Sequence, residues 1–223
     1  MNYTLVRSKR KTVALHIRDG VLEVRAPLKL SVRAIQRFVD SKEGWIAEKL
    51  ALSRQRLEQR RAFELHYGDR VLYCGKEIPT VAREGSRVGF ENVAFCMPPN
   101  LSPEEIKAAC VQIYRLLAKR ELTEKTAQYA SRMGVVPLAV RINGAKTRWG
   151  SCSAKGNINY SWRLIMAEEE LIDYVVVHEL AHLSEMNHSE RFWDIVEAVL
   201  PDYRARQKRL KALLHRLSNE EWG

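Results

Sequence analysis

His178-Glu179-Leu180-Ala181-His182-Leu183-Ser184-Glu185-Met186-Asn187-His188 is the stretch on which the reading of this chain turns. In a helix, residues four apart lie on one face about one turn from each other, so His178 and His182 can offer two imidazoles to one metal ion. Glu179 falls about 60° around the helix from His182 at ~100° per residue, close enough to reach a metal-bound water without being a ligand. That is the placement of a general base. Leu171, Ile172, Val175, Val176 and Val177 precede the pair and predict a largely buried helix. A hydrated metal would then lie at the edge of an apolar core.

The third ligand is read from spacing. His178, His182 and His188 stand as in the HExxHxxGxxH zincins, although Glu185 takes the position of their glycine. Asn187 tolerates left-handed backbone angles and is expected to make the turn instead, with Ser189 capping the next helix. A carboxylate from that helix, Glu190 or Glu197, is the alternative ligand. A neutral shell of three histidines would leave a single Zn2+ per chain fully charged to acidify its water.

Upstream, Thr147-Arg148-Trp149-Gly150-Ser151-Cys152-Ser153 leads into Ile158, Tyr160, Trp162 and Leu164, which alternate with Asn157, Asn159, Ser161 and Arg163 as a half-buried strand does. A hairpin turn is expected near Lys155-Gly156, and its edge is a candidate platform for an extended substrate. Trp149 and Trp162 read as core, and Cys152 as a structural thiol. Tyr160, Arg148, Asn159 and Tyr203 are the side chains available to stabilise a developing oxyanion.

Elsewhere the chain alternates strand and helix signals. Two apolar-alternating runs flank Asp19-Gly20, the pair that suits a type I′ turn, and predict a hairpin with Ile17 opposite Leu22, Leu15 opposite Val24 and His16 opposite Glu23. Helices are expected over residues 31–38 and 41–61, the second opened by an Asp40/Glu43 capping box. Residues 68–96 read as short strands, and Pro98-Pro99-Asn100 as a linker. Ser102-Pro103-Glu104-Glu105 starts a helix that Gly134 ends near residue 133. Further helices are expected over 168–185 and 190–200, and Pro201 interrupts before a basic helix that runs to about Leu217. The expected division is a strand-rich module with a basic helix, 1–100, and a catalytic domain, 101–223.

Composition bounds the function. The 223 residues are 46% hydrophobic and 29% charged, enough apolar material for a core. Apolar runs such as Tyr174–Val177 are far short of the ~20 residues that span a bilayer. No secretory signal is read at the N-terminus, so the expected compartment is the cytoplasm. Cys74, Cys96, Cys110 and Cys152 form no CxxC pair, which argues against a disulfide framework. The net charge of +10 is uneven, with 19 basic against 11 acidic residues in 1–100. Arg7, Lys9, Arg10 and Lys11, then Arg54, Arg56, Arg60 and Arg61, then Arg204, Arg206, Lys208, Arg209 and Lys211 form basic clusters that suit DNA or RNA if they converge.

Taken with Trp162-Arg163-Leu164-Ile165, Asp173 to Leu183, Asn187-His188-Ser189, Phe192-Trp193 and Pro201-Asp202-Tyr203, these motifs resemble the YgjP-like metallopeptidase family, bacterial relatives of the SprT-like zinc proteases. The resemblance is closest over the last 80 or so residues, as the motifs just quoted span 147–203. It implies an α+β fold: a zincin-like core, in which the HExxH helix packs on a small sheet, with an N-terminal hairpin and helix module attached. It also implies zinc on His178, His182 and His188, Glu179 as catalytic base, and protein or peptide substrates. SprT-like relatives cleave proteins attached to DNA, which gives the basic clusters a use. The rival reading is a non-catalytic nucleic-acid-binding or adaptor protein with a structural zinc, and a third is an amidase acting on a non-peptide carbonyl.

Overall fold

The computed structural model describes residues 2–222, which form a mixed α+β structure. The described residues divide into two compact units, residues 2–63 with 219–221, and residues 64–218 with 222.

The smaller unit is a three-stranded sheet, β1 (Thr4–Ser8), β2 (Ala14–Arg18) and β3 (Val21–Pro27), with helices α1 (Val32–Asp40) and α2 (Glu43–Arg61). The hairpin has the expected register, Ile17 opposite Leu22 and Leu15 opposite Val24. Asp19 and Gly20 both take positive φ, 50° and 77°, as a type I′ turn requires. Leu22, Val24 and Ala26 alternate inward and meet Ile35, Val39 and Ile46 from the helices in one apolar cluster. One feature was not read from the sequence, and one differs from expectation. Strand β1 pairs with β3 in parallel, Leu5 beside Val24, which puts β3 at the sheet centre. The Asp40/Glu43 capping box does not form: Asp40 is the last residue of α1 and accepts from Gln36 Nε2 at 2.7 Å, while Lys42 is the uncapped N-cap of α2. Asp40 is held helical, and a residue inside one helix cannot adopt the extended angles needed to cap the next.

The larger unit holds two more sheets. Strands β4 (Arg70–Tyr73), β5 (Lys76–Ala82), β6 (Gly89–Glu91) and β7 (Ala94–Met97) pair in the order β4-β5-β7-β6. Residues 64–100 belong with this unit, so the break follows α2 instead of falling at Pro98-Pro99-Asn100. Strand β7 is buried throughout, and Phe95 meets Tyr114 of the following helix edge-on at 4.9 Å. That helix, α3 (Pro103–Met133), has the Ser102/Glu105 capping box at its start and Gly134 left-handed at its end. Its Ile106, Cys110, Ile113 and Leu117 repeat at helical spacing, and these and Leu122 are buried.

The third sheet is β8 (Ala139–Asn143), β10 (Asn157–Ser161) and β9 (Gly150–Cys152), with β10 in the middle and β9 at an edge. The β9–β10 hairpin turns through Gly156, φ 77°. Strand β10 stops at Ser161, short of the alternation that runs to Leu164. The Ser161 side chain accepts from Arg163 N–H and opens a 3₁₀ turn over Trp162–Met166, all five residues of which are buried. Three helices complete the unit, α4 (Glu169–Ala181), α5 (Glu190–Val199) and α6 (Tyr203–Leu217). No helix among the described residues is long and apolar enough to cross a membrane. Residues 1–63 carry 15 basic and six acidic side chains, so nearly all of the net positive charge lies in this N-terminal stretch.

Candidate metal centre

Helix α4 is apolar nearly all round, with Leu171, Ile172, Val175, Val176, Val177, Leu180 and Ala181 buried, and it carries His178 and Glu179 in its last turn. The helix ends at Ala181 with His182 as C-cap, earlier than the expected residue 185. The chain stays coiled for one further turn through bonds from Leu183 N to Leu180 O and from Ser184 N to Ala181 O, each 3.0 Å. This i,i+3 tightening keeps His182 on the face of His178.

The turn to His188 is made differently from the sequence expectation. Asn187 does not take a left-handed conformation. Glu185 supplies the turn contacts instead: its carboxylate accepts from Asn187 N at 3.4 Å, and its carbonyl lies 3.2 Å from His182 Nδ1. A glutamate therefore serves where the HExxHxxGxxH pattern has a glycine and where Asn187 was expected to turn the chain, because side-chain bonds, not backbone freedom, hold the reversal. Ser189 caps α5 through Phe192 N at 3.4 Å. Phe192 is fully buried, and its ring centroid lies 5.0, 4.5 and 4.8 Å from the rings of His178, His182 and His188. Trp193 stacks on His188 at 5.7 Å and Tyr203 on Trp193 at 5.1 Å, so α5 and α6 fix the orientation of the exposed His188 ring.

One ring nitrogen from each of His178, His182 and His188 lies within 4.8 Å of the others, and this is the metal-competent group of three or more among the described residues. Glu190 and Glu197, the alternative ligands, lie outside it and are exposed. The donors suit a cation. His178 Nε2 and His188 Nε2 face each other at 3.1 Å, an arrangement in which two neutral rings without a shared proton would oppose lone pair to lone pair. The carbonyl of Glu185 takes the Nδ1–H of His182, which leaves Nε2 as the free donor. His178 Nδ1 is buried and has no hydrogen-bond partner. Burial, reinforced by the other two imidazoles, depresses the pKa of His178 to about 3, and burial also lowers that of His182. Both rings are thus held in the neutral form that binds metal.

Glu179 is 5% exposed and lies directly over Gly150, on edge strand β9. Burial raises its pKa from 4.5 to about 7, with the charge of Arg148 pulling the other way. The segment that carries Arg148, Trp149 and Gly150 is pinned by Ser161, whose Oγ donates to Ala145 O at 2.7 Å and whose N–H donates to Trp149 O at 2.8 Å. Arg163 Nη1 holds Gly144 O at 3.0 Å.

Of the four oxyanion candidates, Arg148 alone lines the cavity that holds His178 and Glu179. Tyr160 is buried with its hydroxyl 3.2 Å from Thr126, Tyr203 is stacked under Trp193, and Asn159 is not in the lining. Trp162 is buried and stacked on Tyr114 at 5.3 Å, as expected of a core residue. Trp149 is half-buried and forms a cavity wall, which the sequence reading missed. Gly150 was also missed, although an unexplained glycine inside a strand is the signature of a close approach. Burial keeps Cys110 and Cys74 as thiols, with pKa values pushed up to about 12 and about 11, and that of Cys152 is raised for the same reason.

No curated protein matches this chain. Among solved structures it is similar to the zymogen of the metallopeptidase abylysin from Pyrococcus abyssi, at 29% identity over 42% of this chain and 95% of that one, with a TM-score of 0.40. It is also similar to the zymogen of the metallopeptidase jannalysin from Methanocaldococcus jannaschii, at 18% identity over 42% of this chain and 94% of that one, with a TM-score of 0.37. The model of the YgjP-like metallopeptidase domain matches residues 11–213, most of the length, and the chain accordingly belongs to the YgjP-like metallopeptidase family.

Proposed function

We propose that the chain is a cytoplasmic zinc-dependent peptidase of zincin-like design, in which His178, His182 and His188 hold one zinc ion and Glu179 is the general base. The observation that carries this reading is the juxtaposition of a buried carboxyl, Glu179, with three converging imidazoles, of which His178 lines the same cavity as Glu179. When bound, zinc supplies Lewis acidity and lowers the pKa of a water toward about 7. Glu179, with its own pKa near 7, accepts a proton from the attacking water and passes it to the leaving amine nitrogen. Arg148, on the cavity wall, is a donor available for charge developing on the carbonyl oxygen. Edge strand β9 offers unpaired backbone groups along which an extended peptide can lie.

The test is metal content beside casein cleavage by the purified chain. One zinc per chain is expected, with cleavage lost on chelation and restored by zinc. Absence of stoichiometric metal would refute the site, and bound zinc without cleavage of casein or of a peptide library would favour the structural-zinc reading.

The finer proposal is that substrates are proteins associated with nucleic acid. It is supported by the concentration of charge in residues 1–63, where His16, Arg18 and Arg25 alternate onto the exposed face of the β1–β3 sheet with Glu23 as the acid between them. Binding to duplex or single-stranded DNA should weaken linearly with the logarithm of salt concentration, and an Arg18→Glu/Arg25→Glu variant should flatten that slope by about 1 to 2. Undetectable affinity at low salt would end this proposal.

A further inference from the structure

Next to Glu179 lies a cavity of about 310 Å³, bounded by β9, α4 and α6. Its walls are Trp149, Val175, Leu210 and Leu214, and His178 and Glu179 border it on the side of the imidazole cluster. Two cations, Arg148 and Lys211, also line it, and Glu179 is the one acid in the lining. All of these belong to the larger unit. The volume is at the small end of ligand pockets, enough for one side chain and too little for a folded segment.

We propose that this cavity receives the substrate side chain adjoining the scissile bond, and that it selects a bulky apolar residue while rejecting lysine and arginine. This rests on the peptidase reading above. A peptide carbonyl brought to the imidazole cluster within reach of Glu179 carries its neighbouring side chain into the adjoining space. There the apolar walls favour removal of hydrocarbon from water. A third cation would meet Arg148 and Lys211, and its available counter-charge, Glu179, is engaged in proton transfer. A carboxylate side chain would find those two cations, but only by leaving water for a mostly apolar wall beside another carboxyl group.

Two measurements separate this inference from the reading beneath it. In the first, zinc-loaded wild-type chain is given blocked peptides that differ only in the residue on either side of the scissile bond: Phe, Leu, Ala, Glu or Lys. Phe and Leu should exceed Ala by ~10–100-fold in kcat/KM at one of the two positions, with Lys the poorest. In the second, binding of the same peptides to zinc-loaded Glu179→Gln is measured by calorimetry, which needs no turnover. The same order is expected. Leu214→Trp should collapse the Phe-to-Ala ratio by filling the cavity, and Lys211→Glu should raise the Lys-to-Phe ratio. Flat selectivity, or a preference for Glu or Lys in binding and cleavage, would overturn the cavity assignment with the peptidase intact. Selective binding without any cleavage would uphold the cavity and refute the peptidase.

Discussion

Glu179→Gln should lower kcat by ~10²–10⁴-fold, the usual contribution of a positioned general base, while zinc stays bound at one per chain. The amide keeps the shape of the side chain and its place over Gly150 but cannot take a proton from water. Retained metal separates this result from a ligand loss, and full activity in the variant would remove Glu179 from the mechanism. The same substitution should stabilise the metal-free protein. The native pKa of Glu179 is raised from 4.5 to about 7 by burial, so between those values the folded state holds a proton that the unfolded state releases. Stability is therefore lost as pH rises through this window, by up to about 3 kcal/mol at ~1.4 kcal/mol per unit. Glutamine escapes the penalty. Urea unfolding of metal-free wild type and variant should diverge as pH rises from 4.5 to 7, with the variant the more stable by its full margin above pH 7, and converge below about pH 4.5, where the carboxyl is protonated in both states. His178 also titrates on folding, but it is common to both proteins and cancels. Such a gain on removing a functional group is what a site that trades stability for chemistry should show.

Gly150→Ala should cost ~10²-fold in kcat, with metal content unchanged and KM little affected. A Cβ at this position would lie 2.5 Å from Glu179 Oε1, 2.7 Å from its Cγ and 2.8 Å from its Cδ. Gly150 is not among the residues with positive φ, so its backbone accepts alanine and the collision is the whole of the effect. The carboxylate must shift by about 1 Å, the scale of misplacement that costs an enzyme two orders of magnitude. Gly44→Ala is the control: Gly44 lies in helix α2 with nothing within 4 Å of an added Cβ, and alanine there should leave cleavage unaltered and add up to about 1 kcal/mol of stability. Equal activity in Gly150→Ala and wild type would show that the position of Glu179 over this strand is not used.

How much of this was legible beforehand follows from the range over which each signal acts. Asp19-Gly20 and Ser102/Glu105 specify turn and cap through contacts three residues apart, and both form as the chain dictates. The Asp40/Glu43 box has the same local pattern and fails, because α1 had already claimed Asp40. The alternation of residues 157–164 is a real burial pattern, yet Ser161 converts its second half from strand into a 3₁₀ turn without exposing any of it. Hydrophobic spacing reports which face is covered, not which backbone covers it.

By itself, then, the sequence determined the hairpin and its register, the long capped helix α3, and the placing of His178 and His182 one helical turn apart. Each depends on backbone geometry within about four residues. Tertiary structure alone decided that β1 joins β3 in parallel, and that Phe192 and Trp193 hold the His188 ring against the helix. It alone also put Gly150 beneath Glu179 and built a cavity from residues as far apart as Arg148 and Leu214. Such contacts between distant residues are set by how the apolar faces close-pack, which no local pattern encodes.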